Sequence, residues 1–194
     1  MISFEPAYII GNGTSRLRID LENLRGNGKI FGCNALYRDF TPDILVAVDM
    51  GITKEIEKSG YQRSHPFYCR RPGPDSHQLP HKTKMASGPY ATYLAALWGH
   101  KKIYLLGFDL VGLEGNRVNN VYTGTSHYRL PENVAAKHQP WVGQFIRIMT
   151  QFPDIELIRV GDDLYQPPEW ADYPQYKTMG VDEFLESLNT QQEE

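Results

Sequence analysis

The chain has 194 residues, a formal charge of −3 and 22% charged residues. That length suits one α/β domain with a sizeable core and argues against two, and the slightly acidic balance argues against a dedicated nucleic-acid surface, whose basic face would push the charge positive. No basic segment followed by a long apolar stretch opens the chain, and no apolar run approaches the ~20 residues a membrane span needs, so a soluble cytoplasmic protein with no membrane span is expected. Cys33 and Cys69 belong to no CxxC or Cys/His zinc spacing, and free thiols in a reducing compartment are the expectation.

The first element is the apolar run Ala7-Tyr8-Ile9-Ile10, which stops in Gly11-Asn12-Gly13-Thr14-Ser15. Apolar residues bounded by glycine read as a buried strand, and Arg16 to Leu24 reads as a helix. Strand, tight turn and helix start together make an anion site: the glycines admit close approach, Asn12 and Ser15 offer hydrogen bonds, and free first-turn amides favour negative charge. The same residues also suit an ordinary turn in which Gly and Asn supply positive φ and Ser15 caps.

Gly26-Asn27-Gly28 then turns the chain into a second strand, Lys29 to Cys33, ending at Asn34. Asn34 to Phe40 is too polar to continue it and leads to a turn at Thr41-Pro42-Asp43. Ile44 to Val48 is the most strand-like run, with Asp49 at its carboxyl end. Because open parallel sheets bind ligands beyond the carboxyl ends of their strands, Asn12, Asn34 and Asp49 are expected at one rim. A helix follows over 51–58, then a strand around Pro66-Phe67-Tyr68-Cys69.

The stretch 70–86 is expected as a long loop. It carries Arg70, Arg71, His77 and His81, which suit either phosphate binding or a solvated connector. Ser87-Gly88-Pro89 opens an apolar helix that closes at Gly99, with Ser87 as N-cap. Lys102 to Gly107 is the next strand, and Phe108-Asp109 puts another carboxylate at a strand end. A second long polar loop is expected over about 111–131, a helix over 132–151 kinked or broken at Pro140, a strand over 155–160, an irregular tail over about 162–180, and a short helix over 181–188 before frayed terminal residues.

Taken in order, Gly11-Asn12-Gly13-Thr14-Ser15, then Cys33-Asn34 followed by an aromatic and an acidic residue, then Ser87-Gly88 opening a helix that leads to Leu105-Leu106-Gly107-Phe108-Asp109, resemble the bacterial sialyltransferases that use CMP-sialic acid. The set is also similar to a wider superfamily that includes archaeal hydroxymethylpterin pyrophosphokinases and flagellin-glycosylation proteins, and to small proteins of tailed phages, which would place the chain in a host cytoplasm. The resemblance covers roughly residues 6–128. It implies that Asn12 and Ser15 meet nucleotide phosphates, that Asn34 meets ribose or sugar, and that Ser87 and Gly88 hold the base or a sugar carboxylate. Tyr122 and Tyr128 match the tyrosines that help the phosphate leave. His127, in Ser126-His127-Tyr128, matches the general base loosely: the family's histidine lies a few residues further on, where this chain has Arg129, Leu130, Pro131 and Glu132. Thr14 stands where the family has proline.

The chemistry expected is therefore glycosyl transfer from a nucleotide sugar to an acceptor, without a required cofactor. His127 would be the base, against the alternative of a solvated loop histidine, with His138 a packing residue, and Tyr122 and Tyr128 would be donors to the departing phosphate. A rival reading pairs Asp49 with Asp109 around Mg²⁺ for pyrophosphoryl transfer from ATP; both carboxylates equally suit capping. A third is a non-catalytic nucleotide-binding protein. The fold expected is a single Rossmann-like, doubly wound α/β domain with a mainly parallel sheet and the nucleotide site, Gly11–Ser15, Asn34, Ser87, Gly88 and Asp109, at the strands' carboxyl ends. A homo-oligomer is compatible with everything above.

Overall fold

The structure, a computed structural model, describes residues 5–80 and 84–191. Its eight strands are β1 (Ala7–Ile10), β2 (Lys29–Cys33), β3 (Ile44–Ala47), β4 (Phe67–Cys69), β5 (His77–Gln78), β6 (Lys102–Leu106), β7 (Glu156–Val160) and β8 (Tyr176–Met179). The helices are α1 (Met50–Ser59), α2 (Ser87–Leu97), α3 (Gln139–Gln151) and α4 (Val181–Gln191). All eight strands form one sheet in the order β5-β4-β3-β2-β1-β6-β7-β8, and every neighbouring pair is parallel. This is the doubly wound Rossmann-like arrangement. Strand order reverses between β1 and β6, which opens a crevice at their carboxyl ends.

Side-chain alternation explains why both faces are covered. Ala7, Ile9, Phe31, Val46, Ile103 and Leu105 point to one face, under α2 and α3. Tyr8, Ile10, Ile30, Leu45, Tyr104 and Leu106 point to the other, under α1, α4 and the turns after β1 and β2. Helix α2 packs across β1, β2, β3 and β6 and against α3, and its small residues Ala91 and Ala95 let it lie close to the sheet. Cys33 and Cys69 are buried free thiols; burial pushes them up to about 12 and about 11 respectively. Among the described residues no helix is long and apolar enough to cross a membrane.

Several elements differ from expectation. The helix expected over 16–24 is two 3-10 turns, Thr14–Arg18 and Leu21–Leu24. Ile19 is extended between them, and the Asp20 carboxylate accepts from the Glu22 amide at 3.0 Å, so the chain restarts instead of continuing. The helix expected from residue 132 begins only at Gln139. Residues before it are held by antiparallel bridges Leu113↔Arg117 and Arg117↔Val134, and Pro140 sits in the first turn, where its missing N–H costs nothing. Helix α4 continues through Gln191, past the expected fraying point, while residues 192–194 and His81 lie outside the described residues.

The expected irregular tail contributes an edge strand, β8, and a buried anchor. Trp170 is 1% exposed, packs edge-on against Phe145 and Tyr176, and donates its indole N–H to the Val142 carbonyl at 3.2 Å. The buried Arg159 guanidinium lies over its ring and donates to the Tyr165 carbonyl at 2.6 Å. Trp170→Ala is expected to cost about 3–5 kcal/mol in urea unfolding, the range for emptying a large aromatic site. A surface tail would show a change close to zero.

Candidate functional site

At the crevice the turns after β1 and β6 press directly together. The amides of Gly11 and Gly13 donate to the carbonyls of Leu106 and Gly107, both at 2.8 Å. A Cβ on Gly11 would stand 2.6 Å from the Gly107 carbonyl, and one on Gly13 2.6 Å from the Asp109 carboxyl carbon. The glycines thus serve contact between two protein loops, where the sequence suggested contact with a ligand. Asp109 completes the seal: one carboxylate oxygen accepts from the Ser15 amide at 3.1 Å and the other from the Ser15 hydroxyl. Thr14 is matched likewise, its amide and hydroxyl donating to Asn119 Oδ1 at 3.0 and 2.7 Å. The amides expected to hold a phosphate are occupied by the chain's own side chains.

Beside this seal lies a cavity of about 400 Å³. Of the residues singled out from sequence, Gly11, Asn12, Gly13, Asn34, Ser87, Gly88, Asp109, Asp49, His127 and Tyr128 line it. Thr14, Ser15 and Tyr122 do not. Tyr122 is buried behind the wall, donating to Asp39 at 2.6 Å and accepting from Arg16 at 3.0 Å. Arg70 turns to the Met85 carbonyl at 2.6 Å, and His138 packs on Tyr165; neither reaches the cavity.

The polar wall is built by bracing. Asn34 has φ +55, a conformation asparagine tolerates at the end of a strand, and its Oδ1 accepts from the Ser87 hydroxyl at 2.7 Å. Ser87 in turn accepts from the Val48 amide at 3.1 Å, tying β2, β3 and α2 together. Ala86, not Ser87, is the N-cap residue of α2. Asn34 lines the cavity with its oxygen already engaged and its Nδ2 amide left without a partner among the described residues. Asn12 donates from Nδ2 to the Tyr128 hydroxyl at 3.3 Å, while its Oδ1 is buried without a partner among the described residues. Tyr128 also accepts from the Ala35 amide at 3.2 Å. Both bonds use the oxygen's lone pairs, so its proton is free to be donated elsewhere. Burial pushes this phenol up to about 12, which keeps that proton in place at neutral pH.

The loop after β6 forms the outer wall. Val121 donates to the Asn12 carbonyl at 2.7 Å, and Arg38 grips the loop through the Thr125 hydroxyl at 2.8 Å and the Ser126 carbonyl at 3.1 Å. Arg38 is itself anchored to Glu55 at 2.7 Å. His127, with φ +68, rests on the first turn of α1: a Cβ at Gly51 would stand 2.7 Å from its Nδ1, and Nε2 lies 3.4 Å from Glu55. Asn119, Asn120, Arg129, Phe108 and Trp141 also line the cavity and were not singled out from sequence. Loop residues with no periodicity give no signal of this kind; Phe108 alone had one, as the residue between Gly107 and Asp109.

Both carboxylates of the alternative Mg²⁺ pair line the cavity, but Asp109 uses its two oxygens on Ser15. Asp49 begins α1 without a side-chain cap bond. Among the described residues no group of three His, Cys, Asp or Glu side chains gathers as a metal site.

Comparison with solved structures finds the same fold in glycosyltransferases. The monofunctional α-2,3-sialyltransferase Cst-I of Campylobacter jejuni superposes with a TM-score of 0.59 at 15% identity, over 88% of this chain and 80% of that one. CstII of the same organism, solved with the substrate analogue cytidine-5'-monophosphate, gives 0.52 at 16% identity over 84% and 82%. The MAf glycosyltransferase of Magnetospirillum magneticum AMB-1 gives 0.54 at 13%, over 98% of this chain and 38% of that one. At such identities the likeness is one of fold. No protein-family model matches the chain, and no curated protein matches it significantly.

Two measurements test the site's construction. Asp109→Ala strands the part-buried Ser15 donors and is expected to cost about 1 kcal/mol of stability in chemical unfolding with no divalent ion present; a residue serving only a metal would leave that value unchanged. Glu55 is partly buried, which alone would raise its pKa, but hydrogen bonds from Tyr37 and Arg38 outweigh this and hold it below the usual range. A depressed carboxylate stabilises above its unfolded-state pKa and loses that contribution as pH falls through its folded value. Glu55→Gln should therefore narrow the gap between neutral and strongly acidic stability, read from melting temperatures across pH.

Proposed function

We propose that the chain is a glycosyltransferase-like enzyme that takes a nucleotide sugar of the CMP type as donor and passes the sugar to an acceptor hydroxyl. The observation that carries this reading is the convergence of Asn12, Asn34, Ser87, His127 and Tyr128 on one cavity beside the strand-order reversal, with the Tyr128 proton available. The fold's occurrence in sialyltransferases, one solved with cytidine-5'-monophosphate, supports the choice of nucleotide.

In this reading Asn12 and the Asn34 Nδ2 amide orient the donor, with Ser87 acting through Asn34. The acceptor oxygen bonds to the anomeric carbon as the bond to the phosphate oxygen breaks. Tyr128 donates to the charge developing on that phosphate, and the His127 imidazole, whose Nε2 lies 3.4 Å from Glu55, receives the acceptor proton. Tyr122 supports the loop through Asp39 and Arg16 instead of touching the donor. Phosphate departure is assisted by hydrogen bonds, and no divalent ion is assigned a role.

Calorimetry with CMP tests this. Binding in the presence of EDTA is expected, and Asn12→Ala should weaken it by about 10-fold, the loss of roughly 1.4 kcal/mol, while the free protein stays folded. Unchanged affinity removes Asn12 from the site. Failure of CMP to bind, with ATP binding only when Mg²⁺ is added, would replace this reading with pyrophosphoryl transfer.

A further inference from the structure

We propose that Arg129 is the anion-recognition residue of the cavity, pairing its guanidinium with an oxyanion of the ligand. For the identity of that ligand the proposal rests on the nucleotide-sugar reading; the need for a cation does not. With the Thr14 and Ser15 amides given to Asn119 and Asp109, the turn after β1 offers no open amides to an anion, and the main-chain donors left at the cavity are those at the start of α2, which carry no full charge. The cavity also carries two carboxylates, Asp49 and Asp109, which oppose an incoming anion. Among the described lining residues Arg129 is the one arginine or lysine.

Its state differs from that of the other arginines nearby. Arg16 is committed to Tyr122 and Arg38 to Glu55, Thr125 and Ser126. Arg129 makes a single guanidinium bond, from Nη1 to the Val134 carbonyl at 2.9 Å, and has no carboxylate partner among the described residues. A guanidinium carries five N–H donors, so most of its fork is open. Its backbone is nevertheless fixed: the Arg129 carbonyl accepts from the Gly124 amide and the Thr123 hydroxyl, both at 2.8 Å. A half-committed guanidinium on a residue that lines the cavity suits bidentate binding of a phosphate or carboxylate, for which arginine geometry is matched.

The two sources of that oxyanion, the nucleotide phosphate and a carboxylate on the sugar, separate by calorimetry with cytidine, CMP and CMP-sialic acid on wild type, Arg129→Met and Arg129→Lys. Loss of a charge-assisted pair corresponds to about 10- to 100-fold in affinity. If the phosphate is the partner, Arg129→Met weakens CMP by that factor and leaves cytidine unchanged. If the carboxylate is the partner, CMP is unchanged and the extra affinity of CMP-sialic acid over CMP disappears. Arg129→Lys, keeping charge without the fork, should fall between wild type and Arg129→Met. Equal weakening of neutral cytidine, or no change with any of the three ligands, overturns the proposal, the first by making Arg129 a loop-packing residue. Should wild type bind none of them, inorganic pyrophosphate is the probe: binding lost in Arg129→Met keeps the anion site and discards the nucleotide reading, while binding that is absent or independent of Arg129 discards the anion site.

Discussion

Everything at the carboxyl edge of this sheet depends on how closely two turns approach. Gly11 and Gly13 after β1 lie against the Gly107 carbonyl after β6, close enough that no Cβ fits between them. Neighbouring parallel strands diverge at a reversal of strand order, and the crevice that results is ordinarily a place where main chain meets ligand. Here the two turns meet each other first. The Asp109 carboxylate and Ser15 lock the contact, and the cavity is displaced to one side of it, where the ends of β2 and β3 and the start of α2 supply the floor.

That displacement explains the division of labour around the cavity. The floor is rigid because each polar group holds another: Ser87 holds Asn34, Val48 holds Ser87, and Asn34 is left facing inward by a backbone conformation glycine usually occupies. The outer wall is a loop fastened at intervals, by Val121 to Asn12, by Asn119 to Thr14 and by Arg38 to Thr125 and Ser126. Leu110 and His127, both in that wall, also carry positive φ. Such conformations cost on the order of 1 kcal/mol each and persist where surrounding bonds over-determine them. Non-glycine strain gathered around one cavity fits a wall shaped for a guest better than a loop relaxed for stability.

How much of this was legible in the sequence follows from the range of the interactions involved. The six longer strands that precede the tail read directly, because buried parallel strands are apolar runs closed by glycine or a polar residue. β8 did not, since Tyr176-Lys177-Thr178-Met179 alternates only weakly and pairs on one side. Trp170 fell within the irregular tail expected over about 162–180, because nothing local distinguishes a tail laid over the surface from one that dives into the core. Asn12, Asn34, Ser87 and Asp109 reached the cavity as expected, since each sits one to three residues beyond a strand or at a helix start, where topology alone fixes position. Ser15 and Tyr122 were misplaced for the opposite reason: their partners, Asp109 and Asp39, are 94 and 83 residues away. Asn119 and Arg129 belong to a loop whose path is set by its fastenings, which no periodicity announces.

The same asymmetry bears on what a shared fold can say about specificity. The sheet is the part of this chain common to proteins only 13–16% identical to it. The groups left open to a ligand, the Tyr128 proton, the His127 imidazole and the Arg129 fork, all lie on the loop after β6. Its conformation is held by side-chain bonds to Arg38 and Asn12 and not by strand pairing with the sheet. In the function proposed above, with the Thr14 and Ser15 amides capped from within, charge matching falls to this loop, the segment around the cavity least constrained by the fold. Under that proposal, replacing a few of its residues would change which anion is accepted without disturbing a single strand: the sheet would set the location of the chemistry and the loop its selectivity.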